Sequence, residues 1–373
     1  HIILATLGGN IFLSIIAVLI SIIACKTGLT FALLTRYSFG STGSKAASIF
    51  VPVVNLGWYT IQAATYGHFV AQVFHMGQVG EGICMAVSAI VMGIFAMCGI
   101  GAITILGYIA IPAIVFLSIA TAIRSLGVIG GMEALFAYVP SSDMPLFTGI
   151  TAVIGTWVLS TATCIADIMR YAKDTKAAVS ATLTGLLGGN ILMIVCGAIA
   201  AIAMQNSDLT VILLGFGLVI PSLILMTTNI FTTNAANLYS TSLNLSNAFK
   251  MERKKMLAIL LVLSALATLT KPYEIGFLFT FLNILGTVVP PLSGIILSDY
   301  FLVHKGRYAA YDKASFCKWN PVPWITWAIS IALVYMIPFG LPSLNGIILG
   351  AVLYTALMAI SKQRVTTNLA EEA

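Results

Sequence analysis

Apolar windows of about 20 residues recur along nearly the whole chain, the length an α-helix needs to cross a bilayer. Eleven spans can be drawn, at roughly Ile2–Ala24, Ala47–Phe74, Ile83–Leu106, Gly107–Ile123, Leu146–Ala166, Ala178–Met204, Leu218–Leu243, Met256–Leu269, Ile275–Val303, Pro323–Ile337 and Asn345–Ser361. The runs lack an alternating polar face and are about twice as long as a barrel strand, so they read as helices. The third and fourth are joined by almost nothing.

Polar positions interrupt this pattern at a few places. The seventh span carries LMTTNIFTTNAANLYSTS, in which Asn229, Thr232, Thr233, Asn237, Ser240 and Asn244 recur at steps of three and four. That spacing puts them on one helical face. Such a stripe can hold a cation with hydroxyl and amide oxygens or hydrogen-bond a flat polar solute; it can also simply tie membrane helices together. The second span places Asn55, Trp58 and Gln62 on one face, with Trp58 well inside the span. A tryptophan at that depth needs a partner for its indole N–H or a cavity to face. The fifth span, GITAVIGTWVLSTATCIADIMRY, is weakened by Gly149, Gly155 and the run Ser160, Thr161, Thr163, with Trp157 beside it. A helix breaks at membrane depth only where it is buried in protein or lines a cavity. The ninth span holds Gly286, Pro290, Pro291 and Gly294 and is expected to kink. Two tryptophans at mid-depth, flanking amides and no charge suggest a slot for a flat, neutral, hydrogen-bonding ring, with core packing as the alternative.

Composition agrees with the span count. The chain of 373 residues is 59% hydrophobic and 8% charged, against roughly 25% charged for a soluble domain. The fold class is therefore all-α, a polytopic membrane protein. The net charge of +6 is spread over short loops and points to no nucleic acid. No Walker loop, GxSxG or HExxH motif is present. The six cysteines are scattered without a CxxC and read as packing residues. Running the first span inward puts all but Arg124 and Lys271 of the 18 basic residues on one side. By the positive-inside rule the C-terminus is cytoplasmic and His1 lies outside. No signal peptide is read at His1, so an odd span count with an outer start points to one further span before it.

No acidic or basic residue is forced to the midplane, and His68 is the one ionisable candidate at depth. Proton-coupled carriers usually carry buried carboxylate or histidine relays, so a coupling ion held by neutral oxygens, most simply Na⁺, is expected. The same lack argues against a membrane enzyme.

A family resemblance covers nearly the whole chain. KTGLTFALLTRYSFG (Lys26–Gly40), NLGWY (Asn55–Tyr59), ADIMRYAKD (Ala166–Asp174), NIFTTNAANLYS (Asn229–Ser240) and VPPLSGIILSDYF (Val289–Phe301) occur in that order. They resemble the nucleobase:cation symport family, which holds cytosine, purine, hydantoin and allantoin carriers. The resemblance implies an inverted-repeat fold of two five-helix repeats plus two extra helices, with the site between the repeats. On that scheme residues 1–373 form one transporter domain. Residues 1–123 are the remainder of the first repeat, 146–303 the second, and 323–361 the two additional helices. The family's first helix would precede His1, making eleven spans of twelve.

The resemblance also implies site roles. Trp58 and Trp157 would sandwich the ring, Asn229 would hydrogen-bond it, and Thr232 and Thr233 would ligate Na⁺. Asn55, where cytosine permeases carry glutamine, and Gln62, one turn after Trp58 as in hydantoin-type relatives, would contact the substrate. The stretch from Trp157 to Asp167 is one residue longer than the family spacing, which leaves Val158 as the alternative at that slot. The expected function is import of cytosine or a related nucleobase by Na⁺ symport with alternating access, without catalysis or cofactor. The expected partners are substrate, sodium and lipid, and the expected form is a monomer in a bacterial inner membrane. The alternatives are a purine, hydantoin, allantoin or thiamine-precursor carrier, a proton-coupled carrier, or a nucleobase receptor that does not transport.

Overall fold

A computed structural model describes residues 2–98, 100–139, 145–206, 212, 214–217, 219–337, 339–361 and 366–368. Helix α1 spans Ile2–Thr27 and α2 Phe31–Val73, followed by α3 (Gln78–Met97), α4 (Ile100–Ile129) and the short α5 (Met132–Ala137). The broken pair α6 (Leu146–Leu159) and α7 (Ile165–Met169) flank a π-helical turn at Ser160–Cys164. Helices α8 (Thr175–Leu183) and α9 (Ile191–Met204) are joined by a second such turn, Thr184–Asn190. Then come α10 (Val219–Phe249), α11 (Arg253–Thr268), α12 (Ile275–Val288), α13 (Pro290–Ser298), α14 (Val322–Met336) and α15 (Pro342–Ser361). Strands β1 (Ala314–Phe316) and β2 (Thr366–Asn368) pair antiparallel, with Ser315 opposite Thr367. This small ribbon is the one departure from all-α among the described residues.

Among the described residues six helices are long and apolar enough to cross a bilayer, seven if the bent pair α6–α7 counts as one. Neither α2 nor α10 is in that set, because the amides and hydroxyls of their polar faces lower their hydropathy. The turn between the third and fourth spans lies after Met97 rather than at Leu106–Gly107. Residues on both sides are apolar, so hydropathy alone carries no signal for the break.

The helices pack as two main groups and a smaller third. Helix α1 lies against α6, α7 and α8, whereas α10 lies against α2, α3 and α4, and α11 covers α3. Helices α13, α14 and α15 pack on one another. Backbones approach closely where side chains are missing: a Cβ at Gly350 would run into the Pro291 carbonyl, and one at Gly294 into that of Ile347. Pro290 and Pro291 open α13 and separate it from α12, as the ninth span's prolines predict.

Helix α2 starts at Phe31, well before Ala47, because Gly40 (φ 80°) turns a short first segment into the long one without ending the hydrogen-bonded run. Thr30 caps it, its hydroxyl accepting from Leu33 N. The 304–320 loop is pinned to this first segment. Tyr37 stacks on Tyr308 with centroids 3.9 Å apart, Tyr37 Oη donates to Ala309 O (2.7 Å), and Asn320 Nδ2 donates to Ser38 O (2.8 Å). The anchor beneath is Asp299, fully buried, which accepts from Tyr354 (2.7 Å) and Tyr308 (2.6 Å). His304 Nδ1 sits 3.5 Å from Asp299 Oδ2. Burial depresses the His304 pKa, but the hydrogen bond and charge of Asp299 outweigh it and the net shift is upward.

Candidate transport site

The site candidates fall on α2, on the α6–α7 break and on α10. The bend of 44° between Leu146–Val158 and Ser160–Met169 lies where glycine and small hydroxyl residues weaken the span. Thr161 shares its hydroxyl between the carbonyls of Trp157 and Val158, both at 3.1 Å. Such back-bonding competes with the helical ladder and bends it.

On α2, Asn55 is fully buried and donates from Nδ2 to Cys164 Sγ in the broken turn (2.9 Å). Its Oδ1 is buried without a partner among the described residues, and so is Gln62 Oε1 two turns on. Buried side-chain oxygens are usually paired, and these two acceptors, on one face and flanking a tryptophan, are open to N–H donors. Trp58 is half-buried and meets Phe281 of α12 edge to face, with centroids 5.5 Å apart. Nothing in the sequence pattern singles out Phe281.

Trp157 takes a different position. It is 36% exposed, and no ring among the described residues packs on it, whereas its neighbour Val158 is fully buried in the core. The two differ by about 100° around the helix, so the inward place at this turn belongs to Val158 and Trp157 sits on its flank.

On α10, Asn229, Thr232 and Thr233 are all half-buried. Thr232 donates to Thr228 O (2.8 Å) and Asn229 O (2.9 Å), and Thr233 donates to Asn229 O (3.0 Å). Their hydrogens are thus committed to the helix, which leaves oxygen lone pairs for a cation. The Asn229 side chain has no hydrogen-bond partner among the described residues. Asn237, Ser240 and Asn244 continue the stripe and are buried. Asn234, off the stripe and fully buried, fastens α10 to α2 through Tyr59 O (3.0 Å), and Tyr66 and Thr227 repeat the tie (2.7 Å).

The sequence forces no carboxylate to the midplane, but three are buried in protein. Asp167 and Asp299 are fully buried and Glu81 is 9% exposed. Glu81 accepts from His68 Nδ1 (2.9 Å) and Tyr273 (2.6 Å), so His68 is a paired residue at a helix end. Asp167 accepts from Ser240 and Asn244 at the far end of the stripe. Each carboxylate carries its own set of donors, which is what makes its burial tolerable. Away from all of this, a shallow groove of about 470 Å³ on the flank of α8, lined by Thr175, Lys176 and Val179 among others, shares no residue with the site.

Membrane-length helices, one of them broken beside buried amides of α2 and α10, define the class: a membrane carrier. Comparison then gives the family. Residues 1–358 match the family model described as permease for cytosine/purines, uracil, thiamine, allantoin, and the chain belongs to that family. It is 30% identical over 366 residues to the cytosine permease of Escherichia coli, covering 98% of this chain and 85% of that protein. It is 25% identical over 371 residues to the hydantoin permease of Microbacterium maritypicum, covering 90% of this chain and 74% of that one. In fold it is similar to Mhp1, a nucleobase-cation-symport-1 family transporter solved closed with bromovinylhydantoin bound, with a TM-score of 0.86 at 20% identity, covering 99% of this chain and 88% of Mhp1.

Proposed function

We propose that this permease imports cytosine, or a closely related nucleobase, together with Na⁺. The observation that carries the reading is the α2 face, where Trp58 lies between the orphan acceptors Asn55 Oδ1 and Gln62 Oε1. Trp58 offers a flat surface to a ring, and the two amide oxygens accept from its N–H groups. Asn229 on α10 faces the ring's carbonyl edge, and the Trp157–Val158 turn covers the remaining face. Thr232 and Thr233 ligate Na⁺ on the same helix as Asn229, so each ligand biases one shared conformational equilibrium.

The chain lies in a bacterial cytoplasmic membrane with its C-terminus inside, following the basic loops Arg170–Lys176 and Lys250–Lys255. Residues 1–123 and 146–303 serve as the two repeats that rock about the site, and the working unit is a monomer. A hydantoin or allantoin is the second reading, favoured by the place of Gln62 one turn after Trp58.

Competition decides between them. Radiolabelled cytosine bound to the purified protein is displaced by unlabelled cytosine and not by adenine, hydantoin or allantoin. Displacement by hydantoin at lower concentration than by cytosine would overturn the cytosine assignment.

A further inference from the structure

The polar ties between the two helix groups converge on one carboxylate. Asp167 lies on α7, in the group formed with α1, α6 and α8. It is fully buried. Its Oδ2 accepts from Ser240 Oγ and from Asn244 Nδ2 (3.0 Å), both on α10 of the other group. Its Oδ1 accepts from the backbone N–H of Phe31 (2.9 Å), the first residue of α2. One turn earlier Cys164 Sγ accepts from Asn55 of α2 (2.9 Å). A broken helix is thereby fastened to α2 and α10 at four points, all in its second half, which leads to Arg170, Lys173 and Lys176.

These contacts behave as a unit. Ser240 and Asn244 are one turn apart, and Asn244 Nδ2 also donates to Ser240 O (2.8 Å), so the donor pair is a rigid feature of α10. If α7 moved away by an ångström or two, it would strip a buried carboxylate of all its donors at once. An unpaired buried charge is costly, so intermediate separations are disfavoured and the contact is either made or fully released to water. The helix that supplies Ser240 and Asn244 also carries Thr232 and Thr233, about two turns away.

We propose that Asp167 is the gating residue of the transport cycle: its bonds to Ser240, Asn244 and Phe31 N hold the passage beside α7 shut, and their release opens it. Calling that passage cytoplasmic rests on the orientation proposed above. Asn55 belongs to both the substrate face and this gate, which gives a bound ring a direct route to it. A substrate that draws the Asn55 amide away from Cys164 weakens one of the four ties.

Cys164 reports on the gate. In a variant retaining Cys164 as its sole cysteine and active in cytosine uptake, an impermeant maleimide is applied to right-side-out and inside-out vesicles. With Asp167 intact, Cys164 reacts slowly from either side. Asp167→Asn keeps the shape of the side chain and removes its charge. It is expected to raise the labelling rate from the cytoplasmic side at least about tenfold. Cytosine affinity should stay within about twofold while maximal uptake per cytosine-binding protein falls about tenfold, a ratio that loss of protein by unfolding leaves unchanged. The double variant Ser240→Ala/Asn244→Leu leaves Asp167 and its Phe31 contact in place and should give the same change; it decides the matter if Asp167→Asn fails to fold. Unchanged labelling and uptake in a folded variant overturn the gate. Faster labelling from the outer side alone keeps the gate and overturns the orientation.

Discussion

Replacing Trp58 by alanine is expected to weaken cytosine binding by about 10- to 100-fold, while Trp58→Phe loses much less. Stacking a base on an aromatic side chain contributes about 1–3 kcal/mol per base, and every 1.4 kcal/mol is about tenfold in affinity. The effect is expected at the upper end because Phe281 holds Trp58 edge to face, which fixes its plane before any ligand arrives. Trp58 is half-buried at the site rather than deep in the core, so its truncation removes a binding surface more than a packing element. Equilibrium binding of radiolabelled cytosine, with thermal stability measured in parallel, checks this. An unchanged dissociation constant in a folded Trp58→Ala protein would remove the ring from the α2 face.

Loss of both hydroxyls from the α10 pair is expected to uncouple transport from sodium. Thr232→Val with Thr233→Val keeps side-chain volume and deletes two hard oxygen ligands. The half-saturating sodium concentration for cytosine uptake should rise by tenfold or more, since single contacts to a charged partner contribute about 1.5–3 kcal/mol. Serine at both positions should retain the response, because the oxygen and its bond to the Thr228 or Asn229 carbonyl survive. Thr232→Ala alone should give a smaller shift in the same direction. A double valine protein with a normal sodium response would place the cation elsewhere.

Much of this architecture is written in hydropathy and spacing. The α10 stripe is legible because Asn229, Thr232, Thr233, Asn237, Ser240 and Asn244 share one helical face, and the same residues are half-buried or buried in the fold. The break after Trp157 is legible from Ser160, Thr161 and Thr163. The break between α3 and α4 is not, since an uninterrupted apolar run gives composition nothing to act on. The side taken by Trp157 is equally opaque, because one residue of π-helical winding turns a side chain through about 100° and spacing alone does not reveal it. Asp167 was visible in ADIMRY, but a carboxylate near a basic loop reads as solvated. Only the tertiary placement of Ser240, Asn244 and Phe31 around it shows that it is buried. The contact of Phe281 with Trp58 joins residues far apart in the chain and has no local signature.

The central claim is coupled import of a nucleobase and sodium through one site. Its most direct test is uptake of radiolabelled cytosine by proteoliposomes holding the permease, with and without an inward sodium gradient. The expected result is uptake that needs sodium, concentrates cytosine against its gradient, and is competed by unlabelled cytosine but not by adenine or allantoin. Cytosine uptake indifferent to sodium but driven by a proton gradient would contradict it and remove the role assigned to Thr232 and Thr233.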